Sequence, residues 1–318
     1  MRRLLSKAWV RVFLQLGVSA LILWLLLDDV DFAGVRKTLE EGSIGWLLAA
    51  MAVKTTGLLV HEFRLWLALP VPRPPTRKVI SLGLAAGVIN LALPARAGDL
   101  AAIAFLDREC KVPVPVGTAA VGVTSFLEAA LFAFFLLGVF GMGAAHWADL
   151  LGEGTRIDAM VWIACGVGSG VLVLIIMAVL GRRWADADLP QNPLLKLIQR
   201  TVIETSAILR NARYLGIQTA AAVVQVFLVV TAFTLAMPAS GAAVSDPLMA
   251  SSLVLGISSL AAFILPPTMA AGPAAASMLV LPMLGVDEAG AMAYAGTYWL
   301  VAHIPAMTMG LPALWARR

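Results

Sequence analysis

Apolar residues come in this chain as near-continuous runs of roughly 20 residues, the length that crosses a hydrocarbon core of about 30 Å. Such runs cover residues 9–27, 44–69, 116–140, 158–180, 217–236 and 291–315. Two further apolar stretches, 79–106 and 247–283, are too long and too broken for a single span. The first is interrupted by Leu93-Pro94-Ala95-Arg96-Ala97-Gly98-Asp99 and the second by Pro266-Pro267-Thr268-Met269-Ala270-Ala271-Gly272-Pro273. Irregular backbone at membrane depth is tolerated only inside protein or around a wet cavity. The pattern predicts an all-α polytopic membrane protein with about six full transmembrane helices and two re-entrant broken helical hairpins.

Orientation follows from where lysine and arginine fall beside the spans. With the N-terminus in the cytoplasm, Arg2, Arg3, Lys7 and Arg11 lie inside and Asp28, Asp29 and Asp31 outside. The second span returns Arg64, Arg73, Arg77 and Lys78 to the inside. The loop at 141–158, with His146, Asp149, Glu153, Arg156 and Asp158, is acidic, and Arg182-Arg183 after the fifth span is basic. Both assignments hold only if 79–106 enters and leaves on the cytoplasmic side. Arg36, Lys37 and Arg156 then fall outside, Lys54 and Arg96 lie within the membrane, and the other lysines and arginines, including Arg317-Arg318, are cytoplasmic.

Segments starting at 44, 79 and 116 have counterparts near 216, 248 and 289, and the breaks at 94 and 266 share the same offset of about 170 residues. Residues 1–145, with hairpin 79–106, therefore read as a first inverted repeat, and 146–318, with hairpin 247–283, as a second, together forming one membrane domain. In the second, 190–213 places Leu194, Leu195, Ile198, Val202 and Leu209 at helical spacing among Lys196, Arg200 and Arg210. That suits an amphipathic helix on the inner leaflet with its cations at anionic headgroups, or a plain connecting helix.

Composition agrees: 60% of the 318 residues are hydrophobic and 13% charged. The net charge of +4 is accounted for by the cytoplasmic face, so nucleic acid is not an expected partner. Residues 1–27 could imitate a signal peptide, but no small-x-small site precedes Asp28 and the stretch reads as a retained helix. Cys110 and Cys165 form neither a disulfide framework nor a metal motif, and no cofactor is implied.

Arg96 is the leading candidate for chemistry. Its permanently charged guanidinium can hold phosphate through two N–H groups, and a helix restarting at Gly98 would aim backbone N–H groups into the same space. The competing reading is an ion pair of Arg96 with Asp99 or Glu128 that locks the hairpin. Asp99 could instead be an N-cap. Lys54 and Glu128 lie mid-membrane and would pair most economically with each other, Glu128 otherwise serving proton coupling or substrate. His61 shares the face of Lys54, and Glu62 with Arg64 reads as interfacial pairing. Gln225 lies one position from the repeat equivalent of Lys54, and His303 lines the last helix with Tyr294 and Tyr298. Histidine titrates near neutrality, yet a lone one in a membrane is also a common packing residue.

The stretch Val88-Ile89-Asn90-Leu91-Ala92-Leu93-Pro94-Ala95-Arg96-Ala97-Gly98-Asp99-Leu100 resembles the N-x-x-x-P-x-R-x-G-[DE] motif of the lysylphosphatidylglycerol synthetase transmembrane family. That family includes the flippase domain of multiple-peptide-resistance factors, stand-alone membrane proteins and a hopanoid-associated branch. His61-Glu62-Phe63-Arg64-Leu65-Trp66 is similar to the end of the family's second helix. Ala271-Gly272-Pro273 through Leu284-Gly285-Val286 resembles its later P-G-G…G-V segment, although Pro273 and the lack of a following R-E pair depart from it. The resemblance implies lipid translocation, with Arg96, Asp99, Gly98 and Asn90 at the motif; Lys54, Glu128 and His303, as polar residues within the membrane, are further candidate contacts to a polar, phosphate-bearing headgroup. It also implies a bacterial inner-membrane location, and homo-oligomerisation is left open. The aminoacyl-transferase domain of some members has no counterpart in these residues, so lysyl-lipid synthesis is not expected.

A membrane-embedded lipid-modifying enzyme is the alternative, since Asp28-Asp29-Val30-Asp31 superficially suggests a metal–diphosphate motif. No second acidic cluster, nucleophile triad or nucleotide loop accompanies it. A structural partner of a lipid-biosynthesis complex is a third reading.

Overall fold

A computed structural model describes residues 24, 30–92, 97–142, 153–264 and 271–317. The described residues are helical, with no strand among them: α1 Phe32–Glu41, α2 Ile44–Ala68, α3 Thr76–Ala92, α4 Ala97–Cys110, α5 Val114–Met142, α6 Glu153–Trp184, α7 Pro193–Arg210, α8 Ala212–Ser240, α9 Pro247–Ile264, α10 Ala271–Val280 and α11 Glu288–Trp315. Four segments, Ile44–Ala68, Val114–Val139, Met160–Trp184 and Ala212–Ser240, are long and apolar enough to cross a bilayer. The chain is thus an all-α, multi-pass membrane protein. The expected span at 9–27 and the two interruptions, 93–96 and 265–270, lie outside the described residues.

Of the two long broken runs the described residues comprise α3 and α4, before and after 93–96, and α9 and α10, before and after 265–270. Two elements differ from the sequence reading. Of the loop expected over 141–158, Gly141 and Met142 belong to α5 and Glu153, Arg156 and Asp158 to α6, while 143–152 lie outside the described residues. A short helix, α1, fills the expected loop before α2; Asp31 caps it by accepting from Ala33 N at 3.0 Å.

The chain forms two compact units, each drawing on both halves of the sequence. One comprises Met1–Thr56, Gly87–Gly98 and Leu228–Trp315. In it α9 packs on α10 and α10 on α11, while α1 docks on α11. Ala50, Ala232, Phe233, Ala236, Met237, Val254, Tyr294 and Val301 are fully buried there. Alanines in such number let helix backbones approach closely, which is how helices associate where no water drives them together. Polar groups are used locally: Thr234 and Ser251 hydroxyls meet at 2.9 Å, and Tyr294 OH donates to Phe233 O at 3.1 Å.

The other unit comprises Gly57–Ala86, Asp99–Phe227 and Ala316–Arg318. Its apolar cluster joins the end of α2 (Leu65, Leu69), the start of α3 (Val79, Leu82), the end of α4 (Leu106) and the start of α5 (Ala120). The start of α3 and the end of α4 therefore lie together, as the two legs of a hairpin require. Polar contacts tie the same ends: Lys78 Nζ donates to Glu109 O at 2.5 Å, Arg317 Nε pairs with Glu109 Oε1 at 3.0 Å, and Arg317 Nη2 donates to Ser81 Oγ at 3.2 Å.

The expected amphipathic helix is α7, started by Asn192, whose side chain accepts from Leu194 N at 2.9 Å. It packs against α5 and α6. Its buried residues are Gln199, Val202, Thr205 and Ser206, and Leu194, Leu195, Leu197 and Ile198 are exposed. Ser206 Oγ donates to Ala178 O at 2.9 Å and Gln199 Nε2 to Trp184 O at 3.3 Å, so α7 runs antiparallel to the end of α6. The approach depends on Gly181, where any Cβ would collide with the Ser206 side chain and the Val202 carbonyl. Gly181→Val is expected to separate the two helices at a cost of about 1–3 kcal/mol, read as a lower unfolding temperature of the detergent-solubilised protein; Gly216→Val, at a site with open space, should leave it unchanged.

Candidate functional site

α2, α5 and α8 each carry polar side chains among otherwise apolar residues, and in the second unit these side chains meet. From α2 come His61, Glu62 and Arg64, from α5 Thr124 and Glu128, and from α8 Tyr214, Gln218 and Gln225. His61 and Arg64 stand three apart and so share a helix face. Gln218 and Gln225 stand seven apart and do likewise.

Arg64 is the centre. The residue has 0% exposure, and a guanidinium removed from water has to find partners. Its Nη2 donates to Thr124 O at 2.9 Å, its Nη1 donates to Gln225 Oε1, and Nη1 lies 3.6 Å from Glu128 Oε2. The carbonyl of Arg64 accepts from Gln218 Nε2 at 2.6 Å, and that amide also lies 2.7 Å from Tyr214 OH. Glu128 Oε2 is 2.9 Å from His61 Nδ1. A carboxylate only accepts, so this nitrogen carries the hydrogen and donates it. The Gln225 amide nitrogen, 3.2 Å from the same Nδ1, donates to the Glu128 carboxylate.

Satisfaction is incomplete at three buried atoms of the cluster, Arg64 Nε, Gln218 Oε1 and Glu62 Oε2. Glu62 is 5% exposed, and its Oε2 has no hydrogen-bond partner. The carboxyl occupies the space that a Cβ on Gly83 of α3 would need. Glycine at that position is what lets a carboxyl lie there.

Four expectations change. Glu128, expected to pair with Lys54, has His61 and Arg64 as its ion-pair partners, and Lys54 Nζ stands 5.3 Å from the centre of the Phe233 ring, a cation–π contact. The interfacial Glu62–Arg64 pair is replaced by Arg64 with Glu128 and Gln225, because residues two apart on a helix point to different sides. Asp99 is not an N-cap: α4 begins at Ala97, which puts Asp99 in the first turn, where its charge suits the helix dipole. The backbone N–H of Gly98, expected to point at a ligand, donates to Asn90 Oδ1 at 2.6 Å, so Asn90 bridges from α3 to the start of α4.

Arg96 lies outside the described residues. His303 donates from Nδ1 to Trp299 O at 2.9 Å and stacks on that indole at 4.9 Å. Lys54, Phe233, Tyr298, Trp299 and His303 all belong to the first unit, with Phe233 and Tyr298 stacked at 4.0 Å. Glu128 and Asp99 belong to the second. The sequence candidates thus fall into two groups. Arg64, Gln218 and the position of Gln225 were the missed members of the second, and their signal was available in the polar stripe on α8 and the i, i+3 pair on α2.

Residues 12–310 match the family model described as the lysylphosphatidylglycerol synthase TM region. A search of curated proteins and a search of solved structures each gave no match.

Removing one partner of a buried ion pair leaves the other charge uncompensated. Arg64→Ala is therefore expected to cost about 3–5 kcal/mol. Glu128 is a third exposed, so Glu128→Gln should cost less. Thermal or denaturant unfolding in detergent checks the order, which an equal or inverted ranking would refute.

Proposed function

Because the chain belongs to the lysylphosphatidylglycerol synthase TM region family, a lipid-related family of membrane proteins, we propose that it is a lipid transporter that moves a polar, phosphate-bearing headgroup between leaflets. The observation that carries this reading is that the two described segments of each long apolar run lie against each other: the start of α3 meets the end of α4, and α9 packs on α10. In secondary transporters, repeats of this kind place the substrate between discontinuous helices near the midplane. The approach of Lys78 and Ser81 to Glu109 and Arg317 supports a re-entrant first hairpin open to the side that holds the C-terminus. On the lysine and arginine distribution that side is the cytoplasm, with both termini there and the protein in a bacterial inner membrane.

In this reading Arg96 meets the headgroup phosphate. Asn90 holds the Gly98 N–H, two residues after Arg96. Lys54 and His303, close enough for the lysine charge to act on the imidazole, supply a second polar group.

Reconstitution into vesicles with labelled phospholipids tests the proposal. Wild type should move label between leaflets, Arg96→Ala should lose that activity, and the exposed Arg108→Ala should keep it. Equal rates for all three would remove Arg96 from the site. Lipid analysis of a deletion strain separates transport from synthesis: a transporter changes the leaflet distribution, whereas an enzyme abolishes a lipid species.

Topology has its own test. Cys110 ends α4 beside Lys111, and burial pushes its thiol up, against the pull of Lys78 and with the help of Glu109. A membrane-impermeant maleimide should label it in inverted vesicles and not in intact cells, faster as the pH rises, because the thiolate is the reacting form.

A further inference from the structure

His61, Glu128, Arg64 and Gln225 contact one another, and of the carboxyl groups in this cluster Glu62 is the one with a buried oxygen that no donor reaches, beside the equally unpartnered Arg64 Nε and Gln218 Oε1. The residue is 5% exposed, and its carboxyl lies against the Gly83 backbone. A site this close to a glycine Cα has no room for a headgroup or a hydrated cation, whereas a proton needs none. Carboxyl groups buried in spanning segments beside histidine and arginine are the material of proton relays in transporters.

We propose that Glu62 is the proton-binding group of this protein, taking up and releasing one proton as its carboxyl and carboxylate forms and so coupling lipid movement to a proton gradient. The coupling rests on the transport reading above. The charged groups around Glu62 make the device specific. On α2 itself they are His61 and Arg64; from α5 Glu128 and from α4 Asp99 act on it; from α3 the facing residue is Gly83. Gain of a proton at Glu62 removes a negative charge beside His61, which donates to Glu128, which in turn pairs with Arg64. One proton therefore changes the charge balance that holds α2 to α5, and Asp99 carries the same change to α4, the second leg of the first hairpin.

The test uses the full chain in vesicles of phosphatidylcholine and phosphatidylglycerol, with and without an imposed pH gradient, and infrared difference spectra between acid and alkaline buffer. For wild type the ratio of labelled-lipid movement with and without the gradient should exceed one, and for Glu62→Gln it should fall to one. The exposed Glu40→Gln should retain the wild-type ratio. A buried-carboxyl band that appears on acidification in wild type should vanish in Glu62→Gln and shift in Gly83→Ala, which keeps the carboxyl but takes its place. A gradient response or a carboxyl band that survives in Glu62→Gln overturns the proposal. If wild type moves no lipid under any gradient, the transport reading falls, and the infrared band then decides by itself whether Glu62 binds a proton.

Discussion

One buried guanidinium constrains the second unit more than any other group. Arg64 has 0% exposure in a helix otherwise fit to cross a bilayer, where an unsatisfied charge is costly. Its partners come from two other helices: the Thr124 carbonyl and Glu128 from α5, and Gln225 from α8. Thr124 directs its own hydroxyl to the Ala120 carbonyl at 2.8 Å, so its backbone oxygen is shared between helix and arginine. The backbone of Arg64 is held as well, its carbonyl receiving Gln218. Three helices are thereby fixed in rotation about their own axes, because each must present one polar face to one point. Apolar packing alone cannot impose this, since leucine and valine contacts tolerate rotation that hydrogen bonds do not.

A pair that merely locks a fold adds little to stability relative to apolar residues of the same volume. The cluster keeps a histidine and a second carboxylate that Arg64 does not need for solvation, and one of these, Glu62, is left with an orphan oxygen. A purely structural solution would have stopped at Arg64, Glu128 and Gln225. On the proposed reading, that surplus of titratable groups serves transport.

The spans were legible because the bilayer imposes length and apolarity on the sequence: the second run, expected over 44–69, is Ile44–Ala68, and the segment expected over 217–236 is the core of Ala212–Ser240. Pairing was not legible. Lys54 and Glu128 share a depth but not a partner, and choosing among Lys54, His61 and Arg64 for Glu128 needs the helix rotations that only packing fixes. The helical start of α6 was hidden by the polar residues Glu153, Arg156 and Asp158, which read as a loop although nothing in them opposes a helix. The Asn90-to-Gly98 bridge was hidden too, because it spans a break whose closure depends on the legs on either side.

That bridge bears on how the first break works. The first N–H groups of a helix have no partner within it and are the ordinary anion site of interrupted helices. Here the Gly98 N–H is already taken by Asn90, which removes one of those donors from any headgroup. What α4 still offers an anion is therefore weaker than its dipole suggests, and Asp99 in its first turn opposes an anion further. On the proposed reading a phosphate here is held by a side chain, and Arg96 is the cation that the motif supplies. The second break has no arginine at the corresponding place, with Pro266-Pro267-Thr268 instead. The two breaks are thus chemically unequal, one cationic and one apolar. That inequality suits a cargo with a charged head and a greasy tail better than a small symmetric ion.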